Sequence, residues 1–145
     1  MQCKPVTALP AGEKWTFEIK FDGYRCTVVK RGREVTLFSR NQKALNKRFP
    51  KVVEALDFLG GESVLDGELV DFDSQGRPSL QLLQSNLSRT LPVYFYPFDL
   101  LNRDGELLVN LPIERRRELL GSMSAAPEDP LPPVAAVASA IGTNS

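Results

Sequence analysis

The chain has 145 residues, 42% of them hydrophobic and 25% charged, which suits one domain with a core and is too little for two large ones. It has no histidine, which removes His-based triads, His general bases and His-ligated metals and leaves Lys, Arg, Asp, Glu and Tyr to carry any chemistry. The net charge is zero, yet residues 1–51 hold twelve Lys/Arg against four Asp/Glu and residues 52–145 hold six against fourteen, so the basic first third either faces a polyanion or pairs with the acidic remainder.

Cys3 and Cys26 have neither metal-ligand spacing nor a disulfide framework, which points to a reducing cytoplasm. No apolar stretch reaches membrane-spanning length and no signal peptide is visible, so no membrane partner is expected. In chain order, Trp15, Phe17 and Ile19 alternate with polar residues and predict a strand over 15–19. Arg25 to Lys30 and Glu34 to Phe38 predict two further strands, with Gly32 between them as a hairpin turn. Pro50 to Leu59 has apolar residues at helical spacing and stops at Gly60-Gly61. Ser63 to Phe72 reads as a strand interrupted at Asp66-Gly67. Asp73 to Pro78 is turn material, and Ser79 caps a short helix through Leu87. Val93 to Leu101 is an aromatic-rich strand closed by Asn102 to Gly105. Pro112 then opens an amphipathic helix over Ile113 to Leu120. Residues 124–145, mostly Ala, Pro, Val and Ser, are expected to be a disordered or frame-shifted tail behind a domain over 1–123. Strands and helices are mixed and joined by hairpin-type turns. The predicted class is therefore α+β, an antiparallel sheet with flanking helices.

The run Glu18-Ile19-Lys20-Phe21-Asp22-Gly23-Tyr24-Arg25 sets one lysine at a strand end beside a tight turn. Its amine is a nucleophile only when deprotonated. Arg25 would lower its pKa and Asp22 would act in the opposite direction, so the spacing leaves the protonation state open. Taken alone, Lys20 is an exposed strand-end lysine. Strand alternation would put Glu18 and Lys20 on one face.

This run resembles the Lys-x-Asp-Gly-x-Arg signature of ATP-dependent DNA ligases, whose relatives include RNA ligases and capping enzymes. Leu37-Phe38-Ser39-Arg40-Asn41, Val64-Leu65-Asp66-Gly67-Glu68-Leu69-Val70 and Tyr96-Pro97-Phe98-Asp99-Leu100-Leu101 resemble three further motifs in the family's order. The likeness runs from about Trp15 to Met123 and is nearest to the ligase domains of bacterial multifunctional end-joining ligases. It implies an ATP-grasp-like ligase and capping-enzyme catalytic domain. Lys20 would attack the α-phosphorus of ATP, expel pyrophosphate and hold AMP, which then passes to a DNA 5′-phosphate for sealing. Arg25 and Arg40 would contact ribose and phosphate. Glu68 would hydrogen-bond the ribose or help hold Mg2+ or Mn2+, Phe98 would stack on adenine, and Glu18 would lie near the adenine amine. The implied partner is nicked or broken double-stranded DNA, with Lys43, Lys47, Arg48 and Lys51 available to its phosphates.

Two later family motifs, a Glu-Gly segment and a lysine-bearing segment that grips the α-phosphate, have no counterpart in residues 124–145. The resemblance therefore implies a domain incomplete at its C-terminus, with crippled turnover and an exposed sheet edge open to self-association. A remnant that binds nucleotide or DNA without turnover, and an RNA ligase or capping-type nucleotidyltransferase, remain as alternatives.

Overall fold

The structure is a computed structural model that describes residues 7–8, 10–13, 15, 21–57, 59–85 and 93–123. The expected strand at 15–19, apart from Trp15, and the expected tail at 124–145 lie outside the described residues. Among the described residues, five strands form one antiparallel sheet in the order β2-β1-β3-β4-β5. They are β1 (Tyr24–Arg31), β2 (Glu34–Ser39), β3 (Ser63–Val70), β4 (Tyr94–Arg103) and β5 (Glu106–Leu107). Three helices accompany them, α1 (Pro50–Ala55), α2 (Leu80–Gln84) and α3 (Ile113–Met123). No helix among the described residues is long and apolar enough to cross a membrane.

Strands β1 and β2 form where β-branched and apolar residues alternate with polar ones. Arg31 pairs with Glu34, which leaves a two-residue turn with Gly32 at φ 56°. Glycine in the first turn position suits the right-handed twist of the flanking strands. The outer edge of β2 is covered by the segment that follows it. Leu45 N–H donates to the Leu37 carbonyl at 2.8 Å. The Asn46 side chain accepts from Leu37 N–H at 2.8 Å and donates to the Val35 carbonyl at 2.7 Å. This edge is thereby closed to pairing with another chain.

One face of the sheet is packed. Cys26, Val28, Leu37, Leu65, Leu69, Phe95 and Leu100 point into a core completed by Val52 of α1, Leu83 of α2 and Leu120 of α3. Lys30 also points inward, and its ammonium donates to the Asp57 carbonyl (3.0 Å) and carboxylate (3.1 Å). Helix α3 is held to β4 by Arg116, which donates through Nε and Nη2 to the Asp99 carboxylate at 2.7 and 3.0 Å. Its Nη1 donates to the Leu111 carbonyl at 2.6 Å. Asp99 holds this guanidinium still more firmly in its charged form.

Four expectations need correction. Helix α1 ends at Ala55 with Leu56 as its C-cap, before the Gly60-Gly61 stop. Leu56 and Leu59 are nonetheless buried, so their spacing reflected core contacts made by a turn rather than by a continued helix. Strand β3 runs unbroken through Asp66-Gly67, and the irregularity falls on its neighbour. Asp66 pairs with Asp99 while Gly67 pairs with Pro97, which leaves Phe98 as an extra, bulged residue of β4, and Leu101 is a second, between the Val64–Asn102 and Leu65–Leu100 pairs. Strand β4 extends to Arg103 and turns through Asp104-Gly105 into the short β5, which the pattern did not suggest. The Ser79 cap is present, with its hydroxyl accepting from Leu82 N–H at 3.4 Å, but α2 ends at Gln84.

Candidate active site

The second face of the sheet is only partly covered, and the motif residues collect on it. Arg25 lies directly opposite Glu68 across the β1–β3 pair, and Glu68 lies opposite Tyr96 across β3–β4. The β1–β2 pairing ends at Cys26 with Ser39, so Arg40 stands one step beyond it, beside Arg25. Three strands thus present Arg25, Glu68 and Tyr96 in one transverse row, with Arg40 in the turn just beyond β2 at its end. The neighbouring row holds Phe38, Thr27, Asp66 and Asp99. Arg40 is exposed in a turn where Gln42 has φ 59° and the Ser39 hydroxyl accepts from Lys43 N–H at 3.1 Å.

The segment leading into β1 is fastened to this row. Gly23 N–H donates to Glu68 Oε1 at 3.0 Å. A Cβ at Gly23 would collide with the Leu69 carbonyl oxygen and meet Glu68 Cγ at 3.2 Å, so the glycine permits this close approach. Two residues earlier, the Phe21 ring stacks on Tyr96 with centroids 4.4 Å apart and planes at 22°. Tyr94 and Phe72 continue the aromatic cluster, with Phe72 edge-on to Tyr94 at 5.4 Å and to Tyr96 at 6.1 Å. Burial, then the neighbouring Tyr94, pushes the Tyr96 phenol above its ordinary pKa. Lys20 and Glu18, the expected nucleophile and the residue two before it, lie outside the described residues. The chain immediately after Lys20 is held at two points on the open face, a ring stack and a backbone hydrogen bond.

Arg25 is held by Asp66 rather than by the acid directly across from it. Its Nε and Nη2 donate to the two Asp66 oxygens at 2.7 and 2.5 Å. Its guanidinium carbon lies 4.7 Å from the centroid of the Phe98 ring. The bulge at Phe98 brings that ring beside Asp66. Of the four basic residues expected to meet DNA, Arg48 has another role. It donates to the Leu83 carbonyl and lies over the Tyr24 ring at 5.3 Å. Lys43, Lys47 and Lys51 are exposed.

The structure therefore brings together Arg25, Arg40, Glu68 and Phe98. It adds Asp66, Phe21 and Tyr96, which sequence reasoning left without a role. Strand alternation was the available signal, since Asp66 stands two residues before Glu68 and Tyr96 two before Phe98.

The fold is shared with solved ligase domains. The mycobacterial DNA ligase D complexed with ATP and MES superposes with a TM-score of 0.69 at 34% identity, over 86% of this chain and 44% of that one. The ligase domain of LigD from Mycobacterium tuberculosis superposes with a TM-score of 0.66, also at 34% identity and over the same shares. The class is that of DNA ligase catalytic domains. A family model described as "ATP dependent DNA ligase domain" matches residues 2–139, and the chain belongs to that family. The chain is 39% identical over 126 residues to the multifunctional non-homologous end joining protein LigD of Pseudomonas aeruginosa, covering 84% of this chain and 15% of that protein. It is 34% identical over 139 residues to a DNA ligase of Natronomonas pharaonis, covering 86% of this chain and 25% of that protein. The chain thus spans between about a seventh and a quarter of the length of these relatives.

Proposed function

We propose that this chain carries the lysine adenylylation step of an ATP-dependent DNA ligase, with Lys20 as the AMP acceptor. Deprotonated Lys20 Nζ attacks the α-phosphorus of ATP. The bond from phosphorus to the bridging oxygen breaks, pyrophosphate leaves, and a P–N bond forms. Covalent capture divides a difficult condensation into two easier transfers. AMP then passes to the 5′-phosphate of nicked or broken DNA.

The observation that carries this reading is the row of Arg40, Arg25 and Glu68 beside the point where the Lys20 segment enters the sheet. Two permanently charged guanidiniums suit ribose and phosphate oxygens, which they meet with directional donors. Glu68 ties the backbone three residues after Lys20 to the row, so the acid that meets the ribose also positions the nucleophile's strand end. Phe98 offers adenine a flat apolar ring, on the face opposite the Arg25 guanidinium. Glu18 would reach the adenine amine.

Among the described residues no three acidic or sulfur groups converge on one point. A divalent ion here would therefore arrive on the nucleotide's phosphates, with Glu68 as its protein ligand. That fits Mg2+ or Mn2+, which takes one or two carboxylates together with phosphate and water. Such an ion offsets negative charge on the phosphates. Lys43, Lys47 and Lys51 would supply sequence-independent contacts to DNA phosphates, as an enzyme that seals any break requires.

Incubation with ATP and Mg2+ followed by intact-mass measurement tests the reading. The expected result is an AMP-sized gain that disappears in Lys20→Ala. Unchanged mass on folded protein would overturn it. Retained ATP binding in that case would favour a nucleotide-holding chain without turnover.

A further inference from the structure

We propose that Asp66 is a positioning residue for the nucleotide site. It holds the Arg25 guanidinium over the Phe98 ring, and the inference rests on the adenylylation reading. Two carboxylates, Asp66 and Glu68, meet two donors on this face, the Arg25 guanidinium and Gly23 N–H. Glu68 stands directly opposite Arg25 across the strand pair, the closest placement a β-ladder offers. Asp66 stands diagonally, opposite Thr27. Yet both hydrogen bonds of the fork go to Asp66, and Glu68 accepts from Gly23 N–H. A carboxylate forks with a guanidinium only when the two planes align, and the bulge places the Phe98 ring 4.7 Å from the guanidinium carbon.

The arrangement divides the work of two acids two residues apart. Asp66 takes the cation and Glu68 takes the backbone beside the nucleophile. Without Asp66, the carboxylate directly across the strand pair from Arg25 is Glu68. Their pairing would pull Glu68 from Gly23, loosening the entry to β1 and withdrawing both Arg25 and Glu68 from the nucleotide. The pair is of little consequence to stability. The Arg25 side chain is 41% exposed, and surface ion pairs contribute little. Its effect lies in geometry.

The test combines binding with two proton signals. In the unsubstituted chain the Arg25 Nε–H is expected to exchange slowly by NMR, and fast exchange there would overturn the fork without any variant. In Asp66→Asn that protection is lost, the Gly23 amide exchanges faster as Glu68 turns to Arg25, and ATP affinity by calorimetry falls about tenfold, the size expected for a lost charge-assisted bond. In an Arg25→Ala background, Asp66→Asn is expected to change ATP affinity less than twofold, because Asp66 acts only through Arg25. A full further tenfold loss in that background means that Asp66 touches nucleotide or metal itself and overturns the proposal. If the unsubstituted chain binds no ATP, the adenylylation reading fails, while the Arg25 and Gly23 signals still decide whether Asp66 directs Arg25.

Discussion

The two faces of the sheet are made by the same strands and have opposite characters. On the packed face Cys26, Val28, Leu37, Leu69 and Leu100 are wholly buried. On the open face Arg25, Thr27, Asp66, Glu68 and Phe98 retain contact with solvent. Strand alternation makes this possible, since every second residue is free to serve function once its neighbours serve packing. The faces are still coupled through the backbone. Gly67 points to the packed side between Asp66 and Glu68, where a Cβ would meet the Phe95 ring at 2.6 Å and the Tyr96 carbonyl closer still. The missing side chain lets Phe95 lie against β3 while the two carboxylates project from the other side. The core therefore sets the spacing of the site.

The sharpest test of this division compares two phenylalanines three residues apart on β4. Phe95→Ala removes a ring that is 1% exposed and should cost about 3–5 kcal/mol in unfolding free energy, by urea denaturation. Phe98→Leu, on the open face, should cost about 1 kcal/mol or less while weakening ATP binding. Equal losses from the two would mean that Phe98 is a core residue and that the open face is part of the packing.

The two arginine forks give a second comparison. Arg116 and Asp99 are 9% and 15% exposed, and Arg116 also serves the Leu111 carbonyl. Arg116→Ala should cost about 3 kcal/mol, because it strands a nearly buried carboxylate and a carbonyl. Arg25→Ala, on the open face, should cost about 1 kcal/mol or less. A large stability loss at Arg25 would make its fork structural and weaken its assignment to the nucleotide site.

What could be read from the chain was mostly local. The β1–β2 hairpin followed from alternation around Gly32, the α2 cap from Ser79, and the start of α3 from Pro112. Each signal lies within a few residues of its effect. The candidate site was legible as residue types in order, with Arg25, Arg40, Glu68 and Phe98 brought to one face by a register that motif spacing does not contain. What escaped depended on distant partners. The interruption expected at Asp66-Gly67 appears on β4, because a bulge belongs to a pair of strands and either can carry the extra residue. Lys30, the last residue of a predicted strand, is buried on Asp57, which only the path of the chain after α1 makes available. Asp66 was hidden for the same reason, since its partner Arg25 is 41 residues away.

Asp71 breaks the rule that packed positions are apolar, and it gives the smallest effect with the most informative sign. It is 1% exposed, just beyond β3. Its Oδ1 accepts from Phe72 N–H at 2.8 Å, and its Oδ2 has no partner among the described residues. Burial pushes its carboxyl above the ordinary range, outweighing the opposing Phe72 hydrogen bond. A carboxyl raised on folding favours the protonated form in the native state. Its ionisation therefore weakens the fold as pH rises above the ordinary aspartate value, and the penalty is complete only above the folded value. Asp71→Asn keeps an acceptor for Phe72 N–H and removes the charge. It should raise the melting temperature at pH 7 by roughly 2–4 °C, the size of one favourable substitution in a chain of this length. The gain should shrink as pH falls and vanish below about pH 4, where the aspartate is protonated in both states. A loss of stability at pH 7 would show instead that the carboxylate is charged and partnered in the folded chain.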